Sequence, residues 1–130
     1  MSNFNDLKLG KKYKFILYKI ADDKSAIEVE MKKTSSECQS HADFTKHLPA
    51  NDCRFAVYDF GFSLGEAGNR NKICFVSWSP DTSSVKSKML YAASKDAFKK
   101  RLEGIATEIQ ATDSSEADEQ AFLERLSLIK

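Results

Sequence analysis

Residues 78–102 read Trp-Ser-Pro-Asp-Thr-Ser-Ser-Val-Lys-Ser-Lys-Met-Leu-Tyr-Ala-Ala-Ser-Lys-Asp-Ala-Phe-Lys-Lys-Arg-Leu, and this stretch decides how the rest of the chain is organised. An aromatic strand end is followed by a proline and small polar residues, then by a run with strong helix formers and no internal glycine. Ser79-Pro80-Asp81-Thr82 supplies a capping hydroxyl, a proline suited to the first helical turn and an acid near the positive helix end, so a helix is expected to start there. Gly104 offers a C-terminal cap, and Ser94-Lys95-Asp96 predicts a break that divides the segment into two shorter helices. From Lys86 to Arg101 the cations Lys86, Lys88, Lys95, Lys99, Lys100 and Arg101 face the single acid Asp96, although the whole chain has a formal net charge of only +1. A local excess of cations on a nearly neutral protein calls for an acidic partner.

The segment before this helix predicts a sheet. Tyr13 to Ile20 is rich in aromatic and β-branched residues, and Ala26 to Met31 alternates Ile27, Val29 and Met31 with Glu28 and Glu30, giving two strands. Ala21-Asp22-Asp23-Lys24-Ser25 joins them as the turn of an antiparallel hairpin whose second strand has one wet face. Arg54 to Phe60 and Lys72 to Trp78 carry few charges and are expected as central strands. Gly61 through Asn71, with Gly65, Gly68 and the cations Arg70 and Lys72 at its end, reads as a projecting hairpin loop with a basic tip.

Two further helices are expected. Ser40-His41-Ala42-Asp43 forms a capping box ahead of Phe44, His47 and Leu48, and Pro49 ends the run. His41 and His47 are read as surface or cap residues of that short helix. Thr107 to Ala111 is a final strand, and Ser115 with Asp118 caps a last helix beginning near Glu116, with Phe122, Leu126 and Ile129 on one stripe.

With 130 residues, 42% hydrophobic and 30% charged, the chain is expected to form one domain over residues 1–130. No apolar run approaches the roughly 20 residues of a membrane helix, and Met1 to Asp6 has no secretory pattern, so a cytoplasmic, reducing location is expected. Cys38, Cys53 and Cys74 are an odd set without a CxxC pair, which predicts free thiols, buried in the case of Cys53 and Cys74. Cys38, His41 and His47 lack a carboxylate at fixed spacing and a second nearby cysteine, so no metal site and no cofactor are expected. A hydrolase using Cys53 or Cys74 with a histidine would need a base within reach of a thiol held in a core strand. Nucleic-acid binding by the basic stretch is opposed by the acids from Asp113 to Glu124 and by the lack of a recognition motif.

On a helical wheel Val85, Met89, Leu90 and Tyr91 scatter, so one side must pack and another is free to meet a partner. Met89 falls roughly 60° from Lys86 and about 100° from Lys88, an adaptable apolar side chain between two cations. A core methionine with two solvated lysines fits the same spacing.

Phe4-Asn5-Asp6-Leu7-Lys8-Leu9-Gly10-Lys11-Lys12-Tyr13, Leu48-Pro49-Ala50-Asn51-Asp52-Cys53-Arg54, Trp78-Ser79-Pro80-Asp81-Thr82, Lys86-Ser87-Lys88-Met89 and Ser94-Lys95-Asp96-Ala97 together resemble the cofilin/actin-depolymerising factor family, in its fungal or amoebal form. The resemblance implies an α/β fold with a central mixed sheet flanked by helices on both faces. It implies a non-enzymatic protein that binds ADP-actin monomers and filaments, alters filament twist and promotes severing and depolymerisation. A weaker variant of the same reading binds actin or phosphoinositide without severing. By the same resemblance, Lys86, Lys88 and Met89 are the contact shared by monomer and filament binding, and Arg70, Lys72, Glu124 and Arg125 the filament-only contact. Lys95, Lys99, Lys100 and Arg101 resemble a surface for phosphatidylinositol bisphosphate. The family usually has a longer N-terminal segment with a helix and a regulatory serine, for which Ser2 is the candidate here. Leu128 stands where fungal members tend to have a basic residue, with Lys130 nearby to compensate. A monomer is expected.

Overall fold

The computed structural model describes residues 13–21, 26–34, 36–38, 40–63, 69–102, 104–105 and 107–127. Their elements run β1 (Phe15–Ile20), β2 (Ile27–Lys33), α1 (His41–Thr45), β3 (Arg54–Ser63), β4 (Asn69–Trp78), α2 (Val85–Lys100), β5 (Thr107–Ala111) and α3 (Glu119–Ser127). The strands form one sheet in the order β2-β1-β3-β4-β5, antiparallel throughout except for the parallel pair β4 and β5. A parallel neighbour needs a crossover connection, and α2 is that connection.

Because helices cover both faces, the inner strands are apolar on both sides. In β1, Ile16 and Tyr18 join Phe55, Val57 and Phe75 beneath Tyr91, Phe98 and Leu102 of the α2 segment. Phe15 and Leu17 join Ala56, Tyr58, Phe60 and Val76 on the other face, closed by Phe44 of α1 and Phe122 of α3. Each layer is locked by rings: Tyr18 meets Phe98 edge-on at 4.9 Å, and Phe44 stacks on Tyr58 at 4.2 Å. Offset and edge-on ring pairs of this kind favour one packing arrangement over its alternatives.

Several expectations are corrected. The alternation of Ile27, Val29 and Met31 does not line one face, because a β-bulge shifts the pairing from Leu17↔Met31 to Tyr18↔Val29 and leaves Glu30 without a partner in the ladder. A one-residue insertion reverses the faces beyond it. Ile27 therefore packs into the α2 layer and Met31 into the opposite one, while Val29 is 38% exposed. The basic loop expected from Gly61 is shorter, since β3 and β4 keep pairing through Ser63↔Asn69.

α2 starts at Val85, with Ser84 as its cap, rather than at Ser79. Backbone bonds from Ser79 N to Ala111 O (2.9 Å) and from Asp81 N to Thr112 O (3.1 Å) hold residues 79–81 beside the end of β5, so Pro80 opens a turn instead of a helix. No break occurs at residues 94–96, and α2 is continuous for 16 residues until the turn in which Gly104 takes φ 91°. The last helix begins at Glu119, not Glu116: Asp113 closes a turn by accepting from the Glu116 N–H, and Asp118 Oδ1 accepts from the Ala121 N–H. The hairpin turn residues 22–25, the loop glycines Gly65 and Gly68, Ser2, Leu128, Ile129, Lys130 and the Leu126 side chain lie outside the described residues.

Candidate interaction surface

α2 offers a long face exposed among the described residues, and its geometry follows from which residues are pinned. Tyr91 and Phe98 are buried against the sheet. At 100° per residue Met89 points about 180° from Phe98, away from the core. It is 67% exposed, and Val85, one turn earlier on the same side, is 71% exposed. This decides between the two readings of Met89: it is a surface methionine and no part of the core. Val85 adds to the apolar patch, and its i, i+4 relation to Met89 was the sequence signal for it.

The cations of α2 separate into two rows. Lys86 and Lys100 flank Met89 at about 60° and about 20° on the wheel and are exposed. Lys88, Lys95 and Lys99 fall on one flank, within about 40° of each other, and all three amines are engaged. Lys88 Nζ donates to Asp81 O at 2.8 Å, bracing the turn that precedes the helix. Lys95 Nζ and Lys99 Nζ grip the two oxygens of Glu108 on β5 at 2.9 and 2.7 Å. Burial works to raise the Glu108 pKa, but hydrogen bonds from Lys99, Gln110 and Lys95 outweigh it and hold the carboxyl at about 2. Of the four expected lipid contacts, Lys100 and Arg101 are exposed and without a carboxylate partner among the described residues, while Lys95 and Lys99 are drawn onto the protein's own acid.

The start of α2 is braced separately. Ser84 Oγ accepts from the Ser87 N–H, Ser87 Oγ donates to Asp52 Oδ1 at 3.3 Å, and Thr82 Oγ1 donates to Ala50 O at 2.9 Å. Asp52 is itself held by Arg54 Nη1 at 2.8 Å, and Arg54 reaches across to Glu30 on β2 through Nε at 2.8 Å. Farther along, the Tyr91 hydroxyl accepts from the Ile20 N–H at 2.9 Å. Asp52, Arg54 and Glu108 were missed by sequence reasoning because their partners lie on other elements, up to 35 positions away in the case of Asp52 and Ser87.

The other candidate residues lie on the opposite layer. Lys72 shares the β4 face of Cys74 and Val76, which α1 and α3 cover, and it pairs in register with Phe60. Glu124 and Arg125 are exposed on α3. Arg125 Nη2 donates to Glu108 O at 3.1 Å, and Glu124 Oε1 accepts from Gln120 Nε2 at 3.5 Å. Arg70 pairs with Phe62 in the ladder, within β4 and not in a loop.

The histidines are placed differently from expectation. His41 is buried, with Nε2 2.7 Å from Ala117 O and its ring 4.7 Å from that of Phe122. Its position at the start of α1 suggested a wet cap, but α3 and the turn before it close over that end of the helix. His47 is half-buried beside Phe15, and burial shifts its pKa down. Cys38, Cys53 and Cys74 are free and buried. No described helix is long and apolar enough to cross a membrane.

Comparison with known proteins places this architecture. Residues 1–127 match the family model described as cofilin/tropomyosin-type actin-binding protein. The chain is 54% identical over 125 residues to a cofilin of Ogataea parapolymorpha, covering 95% of this chain and 85% of that protein. It is 52% identical over 128 residues to a cofilin of Kluyveromyces lactis, covering 98% and 87%. Among solved structures it superposes on the crystal structure of a Streptomyces griseoflavus cofilin with a TM-score of 0.89 at 42% identity, covering 98% of this chain and 92% of that one.

Proposed function

The chain belongs to the cofilin/tropomyosin-type actin-binding protein family, and on that premise we propose that it binds ADP-actin monomers and filaments through the outward face of α2, alters filament twist and promotes severing and depolymerisation. Its action is non-enzymatic: it changes an assembly by binding and transforms no substrate. The observation that carries the site is Met89, 67% exposed on the side of α2 opposite the buried Phe98, with Lys86 beside it.

An apolar side chain of this size in water gains by being covered, and the cations around it steer an acidic partner and fix its register. Lys86, Lys88 and Met89 are the contact used for monomer and filament, with Val85 extending the covered patch. The bond from Lys88 to Asp81 O gives that lysine a second task, since it shapes the turn leading into the helix. Arg70, Lys72, Glu124 and Arg125 serve the filament alone, on the layer formed by β4 and α3. Two separate contacts matter because a ligand shifts an equilibrium between filament forms only by its differential affinity for them. Contact with two neighbouring subunits supplies that difference. The whole chain acts as one domain and as a monomer, in the cytoplasm at the actin cytoskeleton, with no nucleic-acid partner.

A surface for phosphatidylinositol bisphosphate at Lys95, Lys99, Lys100 and Arg101 overlaps the end of this helix. Lys100 and Arg101 meet the headgroup first, and Lys95 and Lys99 are recruited by displacing Glu108.

Pelleting with filamentous actin, coupled to imaging of filament length, tests the proposal. Binding with shortening is expected for the unmodified chain, and loss of both is expected when Lys86 and Met89 are replaced together by alanine. Equal pelleting of the two proteins would remove the α2 face from the interface. Ser2, the candidate regulatory serine, is tested separately by whether its phosphorylation weakens pelleting.

A further inference from the structure

β2 departs from a regular ladder at Glu30, the residue that the bulge leaves without a partner strand position. Bulges re-aim side chains. The carboxylate of Glu30 grips Arg54 of β3 with both oxygens: Arg54 Nε donates to Oε1 at 2.8 Å and Nη2 to Oε2 at 3.2 Å. Since β1 lies between β2 and β3, this pair spans three strands.

The rest of the guanidinium points the grip onward. Arg54 Nη1 donates to Asp52 Oδ2 at 2.8 Å and to Cys53 O at 2.7 Å. Asp52 is thereby fixed, and its Oδ1 accepts from the Cys53 N–H at 2.9 Å and from Ser87 Oγ at 3.3 Å. Ser87 stands in the first turn of α2, with Val85 and Lys86. A chain of hydrogen bonds therefore runs from the bulge to the turn that carries Lys86 and leads into Met89. At 100° per residue Ser87 falls about 20° from Phe98 and about 160° from Met89, so the chain arrives on the side of α2 that faces the sheet.

We infer that Arg54 is a positioning residue for actin binding: through Asp52 and Ser87 it holds the first turn of α2 closed, so that Lys86 and Met89 meet the partner already in place. This rests on the actin contact proposed for the outward face of α2. Helix ends have fewer hydrogen bonds than helix middles and open first. A molecule whose first turn is open is not competent to bind, and apparent affinity falls with the competent fraction. The bridge needs a planar fork that serves Glu30 and Asp52 together, which a lysine ammonium does not offer.

Amide hydrogen exchange in the free chain and pelleting with filamentous actin test the two halves of this inference separately. The Lys88 N–H donates to Ser84 O at 3.0 Å and reports closure of the turn. In Arg54→Met, exchange at Lys88 should quicken about fivefold, with a smaller change at Phe98, and actin affinity should fall about twofold. Arg54→Lys should behave in the same way. Ser87→Ala cuts the chain while leaving the grip of Arg54 on Glu30 and Asp52 in place, so it should reproduce both effects without depending on the folding of an Arg54 variant. Combining it with Arg54→Met should weaken actin binding no further than Arg54→Met alone, because both changes break one path. Unchanged exchange at Lys88 in Arg54→Met or Ser87→Ala, equal quickening at Lys88 and Phe98, full recovery with lysine, or weaker pelleting with no change at Lys88 would overturn the inference. Failure of the unmodified chain to pellet would overturn the actin contact itself, a result read without the Lys88 amide.

Discussion

Lys99 Nζ lies 2.7 Å from Glu108 Oε1, and this contact joins the last turn of α2 to the edge strand β5. Lys95 holds the other carboxylate oxygen one turn earlier. Two amines on one acid make a clamp whose strength depends on pH, and it sits at the end of the helix that carries the candidate interface.

The folded-state pKa of Glu108, about 2, is below its ordinary value of 4.5. The unfolded chain therefore binds this proton more readily, and the clamp's stabilisation is present above about pH 4.5 and is lost as the pH falls toward 2. Glu108→Gln should cost about 1 to 2 kcal/mol at neutral pH, less than the full shift would give because Lys99 is partly exposed. Urea titrations of the two proteins at neutral pH and near pH 2 check this. The two stabilities should converge in acid, and a constant gap would mean that Glu108 acts through packing and not through charge.

Met89→Ala should weaken actin binding by about 1 to 2 kcal/mol, the loss typical of a central apolar contact. Its melting temperature should stay within a degree or so of the unmodified chain, because an exposed side chain contributes little to folding. Pelleting and thermal melting, measured on one preparation, separate the two effects. A fall in melting temperature with unchanged pelleting would make Met89 structural.

Tyr91→Phe removes the hydroxyl that accepts from the Ile20 N–H and keeps the ring packed against Phe55 of the sheet. Loss of this bond leaves a backbone donor unpaired, at a cost of about 1 kcal/mol. Amide exchange should report it locally, with faster exchange at Ile20. Unchanged exchange there would show that water replaces the hydroxyl.

Burial pushes the Cys74 thiol up to about 12, so it is almost wholly protonated at neutral pH. Thiolate is the reactive form, so Cys74 should resist iodoacetamide in the native protein and react within minutes in urea. Mass spectrometry of the peptide containing Cys74 reads the result. Rapid native alkylation would mean that β4 opens easily, and would revive a nucleophilic role for this thiol.

Most of the sheet was legible in the sequence, because β-branched and aromatic runs such as Phe55 to Phe60 and Ile73 to Trp78 have few alternatives once helices cover both faces. Helix starts were less so. Ser79 and Ser84 both fit as caps, and what selects Ser84 is the pairing of residues 79–81 with the end of β5, which local pattern does not contain. The bulge at Glu30 was hidden for a similar reason: alternation continues unbroken in the sequence while the register changes in space. For Met89 the spacing left an exposed plug and a core residue equally open, and its exposure in the fold decides between them. The division of the lysines into an exposed row and an engaged one is not legible there, because it depends on Glu108 and Asp81 arriving from elsewhere in the fold. His41 was misplaced because its burial comes from α3, some 80 residues later in the chain.

α2 is the crossover that carries the chain from β4 to its parallel neighbour β5, so its two ends are fixed to adjacent strands on one side of the sheet. A surface mounted in this way cannot swivel on its own. Torque applied to it by a neighbouring subunit passes into the whole body, which turns as a rigid lever.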